Sequence, residues 1–338
     1  MRAYGLEKFG IENLQLVDAP DPAPGPEEVV VDVKALSLNY RDLLVMRGTY
    51  NPRLPLPAVP ISDGAGVISA AGGHVTRVAV GDRVTGHFVA GWIDGRFRRE
   101  YIRHSLGTPG PGMAAERVVL PAEAVVPIPP GYDFAQAATL PIAALTAWSA
   151  LVTEGQIGPG QTVLTLGTGG VSIFVVQIGK ALDAKVIITS SSDDKLRRAA
   201  ELGAAHTINY EATPAWEERV EELTDGLGVD LTVETGGART LQQSMAATRA
   251  GGRIAMLGAL TGLEGELNVA PVLMKRLRIC GIYVDSRAAF EAMNVFLAEQ
   301  RIMPVIDRVF PFEALPEALR LLESGAHFGK IVVTLEGP

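Results

Sequence analysis

A chain of 338 residues, 47% apolar and 20% charged, is long for one domain and comfortable for two. Its formal charge of −8, without a basic block, leaves no footprint for nucleic acid or an anionic membrane. Cys280 is the single cysteine and no apolar run reaches membrane-spanning length, so disulfides within the chain are excluded and a cytoplasmic, non-membrane protein is expected. The N-terminus, Met1-Arg-Ala-Tyr-Gly5, runs straight into strand-like sequence without a hydrophobic signal region.

Residues 1–128 read as β-rich. Glu28-Val-Val-Val-Asp-Val-Lys-Ala-Leu36 predicts a strand, Asp63-Gly-Ala-Gly-Val-Ile-Ser69 a second, and Val80-Gly-Asp-Arg-Val84 a turn entering a third. Prolines at 20, 22, 24, 26, 52, 55, 57 and 60 divide short segments, as in a small barrel. Asn39 to Gly48 reads as a short helix stopped by a glycine. Residues 87–113 mix glycines, aromatics and arginines without periodicity, which predicts a long loop beside a site. Within it, Arg96, Arg98, Arg99 and Arg103 read as a solvated surface, while Phe88, Trp92, Phe97 and Tyr101 suit an apolar pocket edge or loop packing.

After Pro127 the pattern changes to alanine-rich helix over 133–155, then to alternating strand and helix from Thr162. The sharpest signal is Thr162-Val-Leu-Thr-Leu166 followed by Gly167-Thr168-Gly169-Gly170-Val171-Ser172 and a helical run. A strand that ends in glycines and opens a helix bares backbone N–H groups at a helix N-terminus, which suits a pyrophosphate. Ser172 stands where the third glycine of the usual pattern falls. Strands at 185–189, 206–210, 229–234, 252–258 and 277–284, with helices at 193–203, 214–224 and 238–250, complete the expectation of a doubly wound parallel sheet. Helices at 289–300 and 313–324 and a strand at 330–335 follow. The expected class is α/β.

The ordered set of segments resembles the medium-chain dehydrogenase/reductase superfamily. Asn39-Tyr-Arg-Asp42, Gly81-Asp-Arg-Val84, Ala137-Ala-Thr-Leu-Pro141 with Leu145-Thr-Ala-Trp148, the glycine turn, Leu202-Gly-Ala204, Ile208-Asn-Tyr210, Glu234-Thr-Gly236, Gly251-Gly-Arg253 and Gly329-Lys-Ile-Val332 occur in the family's order. The resemblance implies a GroES-like catalytic domain from 1–128 and 289–338, a Rossmann domain over 129–288, and nicotinamide-dependent hydride transfer in the cleft between them. Zinc-dependent members use cysteine and histidine ligands and a four-cysteine lobe. Here those positions read Asn39–Asp42, Ile61-Ser62-Asp63-Gly64 and Ile142-Ala143, so the resemblance is to the zinc-independent quinone and enoyl reductase branch. A makeshift metal site of Asp42, Asp63 and His87 is the unfavoured alternative.

NAD binders of this fold place a carboxylate roughly twenty residues beyond the first glycine. Ser190 stands there, followed by Ser191, Ser192 and Lys195, a set suited to a 2′-phosphate and so to NADPH; Asp193 and Asp194 argue the other way and leave NAD open. The resemblance further implies Tyr210 near the adenosine, Thr146, Gly258, Ala259, Leu260 and Tyr283 near the nicotinamide, and Phe328 and Lys330 reaching the cofactor. Without zinc, a hydroxyl must supply the proton, and Tyr50 matches the tyrosine that related enoyl reductases set over the substrate, with Asn39 and Tyr40 beside it. Asp285 replaces a frequent glycine. The expected activity is NADPH-dependent reduction of an activated C=C, quinone or carbonyl in a small molecule by a homodimer. An NAD-using alcohol dehydrogenase-like enzyme and a non-catalytic NADPH-binding redox sensor are the alternatives.

Overall fold

The computed structural model describes residues 1–335 in two units, one formed by Met1–Leu145 with the chain from Val284 onward, the other by Thr146–Tyr283. In the first, β1 (Arg2–Leu6) and β2 (Leu14–Asp18) pair antiparallel. β3 (Glu28–Ser37) buries Val29, Val30, Val31 and Val33, β-branched residues that suit a pleated surface covered on its faces. The chain then enters α1 (Tyr40–Met46), started by a capping box in which Asn39 and Asp42 satisfy each other's backbone N–H groups. β4 (Asp63–Ala71), β5 (Arg83–Gly86), β6 (Arg117–Pro121) and β7 (Val125–Pro127) follow. β4 runs antiparallel to β3 with Ser37 opposite Asp63, β5 adds to β4, and β7 adds to β5.

α2 (Phe134–Ala138) sets Ala137 and Ala138 against Ala35 and Ala65 of β3 and β4. Small residues on both sides let helix and sheet approach closely. This packing keeps the chain with the first unit as far as α3 (Leu145–Trp148), well beyond the expected border at 128.

The second unit alternates β8 (Thr162–Leu166), α4 (Gly170–Ala181), β9 (Lys185–Ser190), α5 (Asp193–Leu202), β10 (His206–Asn209), α6 (Trp216–Leu223), β11 (Val229–Glu234), α7 (Leu241–Ala247), β12 (Thr248–Met256), α8 (Ala270–Met274) and β13 (Arg278–Gly281). The strands form one parallel sheet in the order β10-β9-β8-β11-β12-β13. That is the doubly wound order, with its topological switch point between β8 and β11. Leu164, Leu166, Ile187, Ile208, Trp216 and Val220 make one side of its core. Two elements are shorter than expected. α7 ends at Ala247 as the chain turns directly into β12, and β13 holds only the first half of the apolar run 277–284.

The chain returns to the first unit through α9 (Arg287–Glu299), β14 (Ile306–Pro311), α10 (Leu315–Ser324) and β15 (Lys330–Thr334). Return begins at Val284 rather than 289 because Arg287 N and Ala288 N donate to Trp92 O (2.9 Å) and Ile93 O (3.0 Å). Ser286 caps α9 through Ala289 N, and the buried Asp285 carboxylate accepts from Ser286 N at 2.7 Å. β15 lies antiparallel on β3, with Val332 opposite Ser37, and parallel to β14. Among the described residues no helix is long and apolar enough to cross a membrane.

A close helix–strand approach falls at Gly179, where a Cβ would sit 2.6 Å from Val186 Cγ2. Gly179→Ala is expected to lower unfolding stability by about 1–2 kcal/mol, overpacking outweighing the gain in helix propensity. Urea denaturation checks this, and a variant as stable as the parent would show that α4 shifts without cost.

Candidate active site

At the carboxyl end of β8, Gly167 takes a positive φ of 74° and turns the chain, and Gly169 caps α4. A Cβ on either glycine would meet nothing within 4 Å, so the turn opens a cradle above the helix N-terminus. Thr168, Gly170 and Val171 complete this wall. Ser172 is buried with its hydroxyl donating to Leu166 O at 2.7 Å, which fixes the turn from below. Across the switch point, Thr235 Oγ1 donates to the same carbonyl at 2.9 Å.

Glu234, fully buried at the end of β11, organises the facing loop. Its carboxylate accepts from Gly236 N (2.7 Å), Gly237 N (2.9 Å), Thr240 Oγ1 (2.7 Å) and Ser244 Oγ. Thr261 N donates to Gly236 O at 2.7 Å, and Leu260 N approaches Thr235 O at 3.4 Å. Gly258, Ala259 and Leu260 thus lie beside Thr235–Gly237, on the same edge of the sheet as the glycine turn. The motif Glu234-Thr-Gly236 is visible in sequence, but nothing there says that the carboxylate faces inward.

At the end of β9, Ser190 is buried and its hydroxyl accepts from Ser192 N at 3.3 Å, while Lys195 is half-buried on the first turn of α5. The acids that opposed a 2′-phosphate are engaged elsewhere. Asp193 accepts from Asn209 Nδ2 at 2.7 Å, and Asp194 pairs with Arg197. Tyr210 is exposed and donates its backbone N–H to Ser190 O at 3.1 Å. Tyr283 is half-buried at the end of this unit, and Thr146 is buried at its start.

The first unit holds a separate polar cluster, assembled by strand register. Antiparallel pairing of β15 on β3 brings Lys330 level with Asn39, and pairing of β4 on β3 brings Asp63 to the same end. Lys330 Nζ donates to Leu38 O (2.6 Å) and Asn39 Oδ1 (2.7 Å); Asn39 Nδ2 donates to Asp63 Oδ2 (2.9 Å), and Asn39 N to Asp42 Oδ2 (2.8 Å). Ile142 N, just past Pro141, also reaches Asp63 Oδ2 at 3.2 Å. All four side chains are buried. Burial pushes Asp63 and Asp42 above the usual carboxylate range and Lys330 below the usual ammonium range, with the opposite charges resisting both shifts. Lys330 and Phe328, expected to reach the cofactor, are 3% and 1% exposed, and the ammonium serves Asn39 inside the unit.

Beside this cluster, the half-buried Arg41 donates to Ser62 Oγ and, at 2.7 Å, to Thr108 O. Its guanidinium carbon stands 4.4 Å from the Tyr50 ring centroid and 4.8 Å from that of Phe88. Ser62 Oγ passes the connection on to Asp42 Oδ1 at 3.1 Å. Tyr50 and Asn39 therefore meet through Arg41, Ser62 and Asp42. Tyr40 is turned to Arg47, which pairs with Glu323. The convergence of Arg41, Asp42 and Asp63 depends on pairings across the whole unit, so adjacent residues in the sequence do not reveal it.

The donor set does not suit zinc. A guanidinium points at the Ser62 hydroxyl, and Asp42 Oδ1, Asp42 Oδ2 and Asp63 Oδ2 each accept from a protein donor, while Asp63 Oδ1 is buried without one. No group of three His, Cys, Asp or Glu side chains able to hold a metal occurs among the described residues, so Asp42, Asp63 and His87 do not form one. The glycine turn does suit a dinucleotide.

Comparison with known proteins agrees with both units. The alcohol dehydrogenase GroES-like domain family matches residues 25–130 and the zinc-binding dehydrogenase family residues 170–299. A zinc-type alcohol dehydrogenase-like protein of Schizosaccharomyces pombe is 43% identical over 92% of each chain. A solved structure described as an NAD-dependent alcohol dehydrogenase is 40% identical, with a TM-score of 0.91 over 99% of this chain and 100% of that one. An acryloyl-coenzyme A reductase of Sulfurisphaera tokodaii is 27% identical over 95% of this chain and 96% of its own.

Lys330→Met leaves Asp63 buried without its cation and is expected to cost about 3–5 kcal/mol near neutral pH. Because the folded state then holds the Asp63 proton more tightly than the unfolded chain, stability falls as pH rises through the raised folded pKa, more steeply than in the parent. Urea midpoints at about pH 5 and about pH 8 test the sign, and a pH-independent loss would refute the coupling.

Proposed function

The chain belongs to the medium-chain dehydrogenase/reductase superfamily of NAD(P)H-dependent oxidoreductases, and we propose that it is a zinc-independent, NADPH-preferring reductase of activated C=C, quinone or carbonyl compounds. The observation that carries the zinc-free reading is the Arg41 guanidinium hydrogen-bonded to Ser62, a fixed cation where ligands for a dication are lacking. Support for NADPH comes from Ser190 and Lys195 beside two aspartates already engaged by Asn209 and Arg197. The relative described as an acryloyl-coenzyme A reductase supports reduction of a conjugated C=C.

Gly167–Val171 would cradle the pyrophosphate with backbone N–H groups and the helix N-terminus, and Thr235–Gly237 with Gly258–Leu260 would line the nicotinamide side. Bound there, the cofactor supplies a hydride. Hydride addition to carbon leaves negative charge on the substrate oxygen, so a proton is needed to complete the two-electron reduction. Tyr50 is the proton donor in this reading. Arg41 stacked on its ring fixes the phenol and places positive charge next to the developing anion. Lys330 and Asp63 position Asn39 and, through Asp42 and Ser62, Arg41.

The test is a fluorescence titration with NADPH and NADH on the parent, Lys195→Ala and Tyr50→Phe, paired with turnover of an enone. The reading expects preference for NADPH that Lys195→Ala abolishes, and about 10²-fold slower turnover in Tyr50→Phe with NADPH affinity retained. Equal affinities for the two cofactors, or turnover unaffected in Tyr50→Phe, would sink the respective assignment. The structural relative described as NAD-dependent favours the second reading, alcohol oxidation with NAD, and NADH preference with alcohol turnover would establish it.

A homodimer of this soluble-type, small-molecule enzyme is part of the same proposal. β13 ends the six-stranded sheet with its outer edge open, and Leu273, Met274 and Ile279 are exposed around it. An open edge bordered by apolar side chains suits antiparallel pairing with a second copy about a twofold axis. Sedimentation at micromolar concentration should give a dimer, and Ile279→Lys a monomer; a monomeric parent would overturn the proposal.

A further inference from the structure

Several surface arginines of the first unit are neutralised by carboxylates. Arg2 pairs with Glu116 and Glu313, Arg47 with Glu323, Arg117 with Asp21 and Asp32, and Arg287 with Glu123 and Glu291. Residues 96–103 bring four arginines into one short segment. Arg96, Arg99 and Arg103 are exposed and have no carboxylate partner among the described residues, while Arg98 stands 3.8 Å from Glu100. The other acid of the segment, Asp94, folds back on Gly95 N at 2.6 Å. A chain of net charge −8 therefore holds a concentrated positive segment, three of whose arginines pair with no carboxylate among the described residues.

Two further observations give the segment a ligand-like shape. Trp92, Phe97 and Tyr101 pack on one another, with centroids 5.0 Å apart for Trp92–Phe97 and 6.0 Å for the stacked Trp92–Tyr101 pair. Trp92 is buried and Phe97 remains exposed, so a rigid aromatic base presents one ring to solvent between arginines. The segment is also the tip of a hairpin, held by the Val89–Ser105 bridge and by Leu106 N donating to Phe88 O at 2.8 Å. Both ends of that hairpin rest on Arg41, Phe88 stacking on its guanidinium and Thr108 accepting its N–H. From Phe88 to Gly95 the chain spans at most ~25 Å.

We propose that this hairpin binds the far end of the substrate, a nucleotide-type group whose phosphates lie on Arg96, Arg99 and Arg103 and whose base stacks on Phe97. Three guanidiniums match phosphate oxygens by charge and geometry, and an exposed ring accepts a heterocyclic base. The inference rests on the reductase reading and names its substrate class: a conjugated carbonyl compound joined by an extended arm to a phosphorylated nucleotide, its reacting end at Tyr50 and Arg41.

Two crotonyl thioesters that differ in the nucleotide portion, crotonyl-coenzyme A and crotonyl-pantetheine, test this with the full chain and NADPH. At low salt the coenzyme A ester should have a kcat/KM at least 10-fold above the pantetheine ester, through KM, and added salt should shrink the gap. The triple variant Arg96→Glu, Arg99→Glu, Arg103→Glu should bring the ratio close to one, and Phe97→Ala should lower it. Coenzyme A alone should quench tryptophan fluorescence in the parent and not in the triple variant. Equal kcat/KM for the two esters, or a ratio that survives the triple substitution, overturns the inference while leaving the reductase reading in place. If neither ester is reduced but coenzyme A binds through the arginines, the reductase reading fails and the binding site stands. Loss of NADPH affinity in the triple variant would assign the arginines to the cofactor and overturn the proposal.

Discussion

The buried cluster of Lys330, Asn39, Asp63 and Asp42 is the constraint on which the first unit depends. An ammonium and two carboxylates cannot be removed from water unless each is held by an opposite charge or a hydrogen bond. Asn39 meets that need by accepting from Lys330 with its amide oxygen and donating to Asp63 with its amide nitrogen. Its backbone N–H is taken by Asp42, which also starts α1. One small residue thereby ties the last described strand, the middle of the sheet and the first helix, although Lys330 lies 291 positions away along the chain.

From that cluster the chemistry of the unit extends outward in short steps. Asp42 accepts from Ser62, Ser62 accepts from Arg41, and Arg41 stands against the rings of Tyr50 and Phe88. A guanidinium held by two rings and by hydrogen bonds at its edge is a preorganised positive charge. Glu234 has the corresponding task in the other unit, gathering four donors so that the loop after β11 keeps its shape beside the glycine turn. Both clusters are built on buried carboxylates. Their value lies in fixing other groups.

Much of this was legible in the chain. The β-branched run of β3, the Asn39–Asp42 start of α1, and the strand–glycine–helix sequence at 162–181 each carry a local signal, because backbone geometry there follows from adjacent residues. Boundaries were less legible. The helix at 134–138 reads as the beginning of the nucleotide domain, yet its alanines fit against β3 and β4; and the segment at 284–288 belongs with Trp92 and Ile93 through hydrogen bonds no periodicity reveals. Gly179 carries a close approach that no motif marks, since the contact depends on where β9 lies against α4.

Neighbouring residues dictate the periodicities, caps and glycine turn, and with them the class of fold and the place of the candidate dinucleotide site. These are properties of neighbours three, four or two residues apart, which local sterics settle. Only the tertiary structure decided what Lys330, Arg41, Asp63 and Glu234 do. A charged side chain is read in sequence as solvated by default, and its burial becomes visible only when strand register brings its partners from distant parts of the chain.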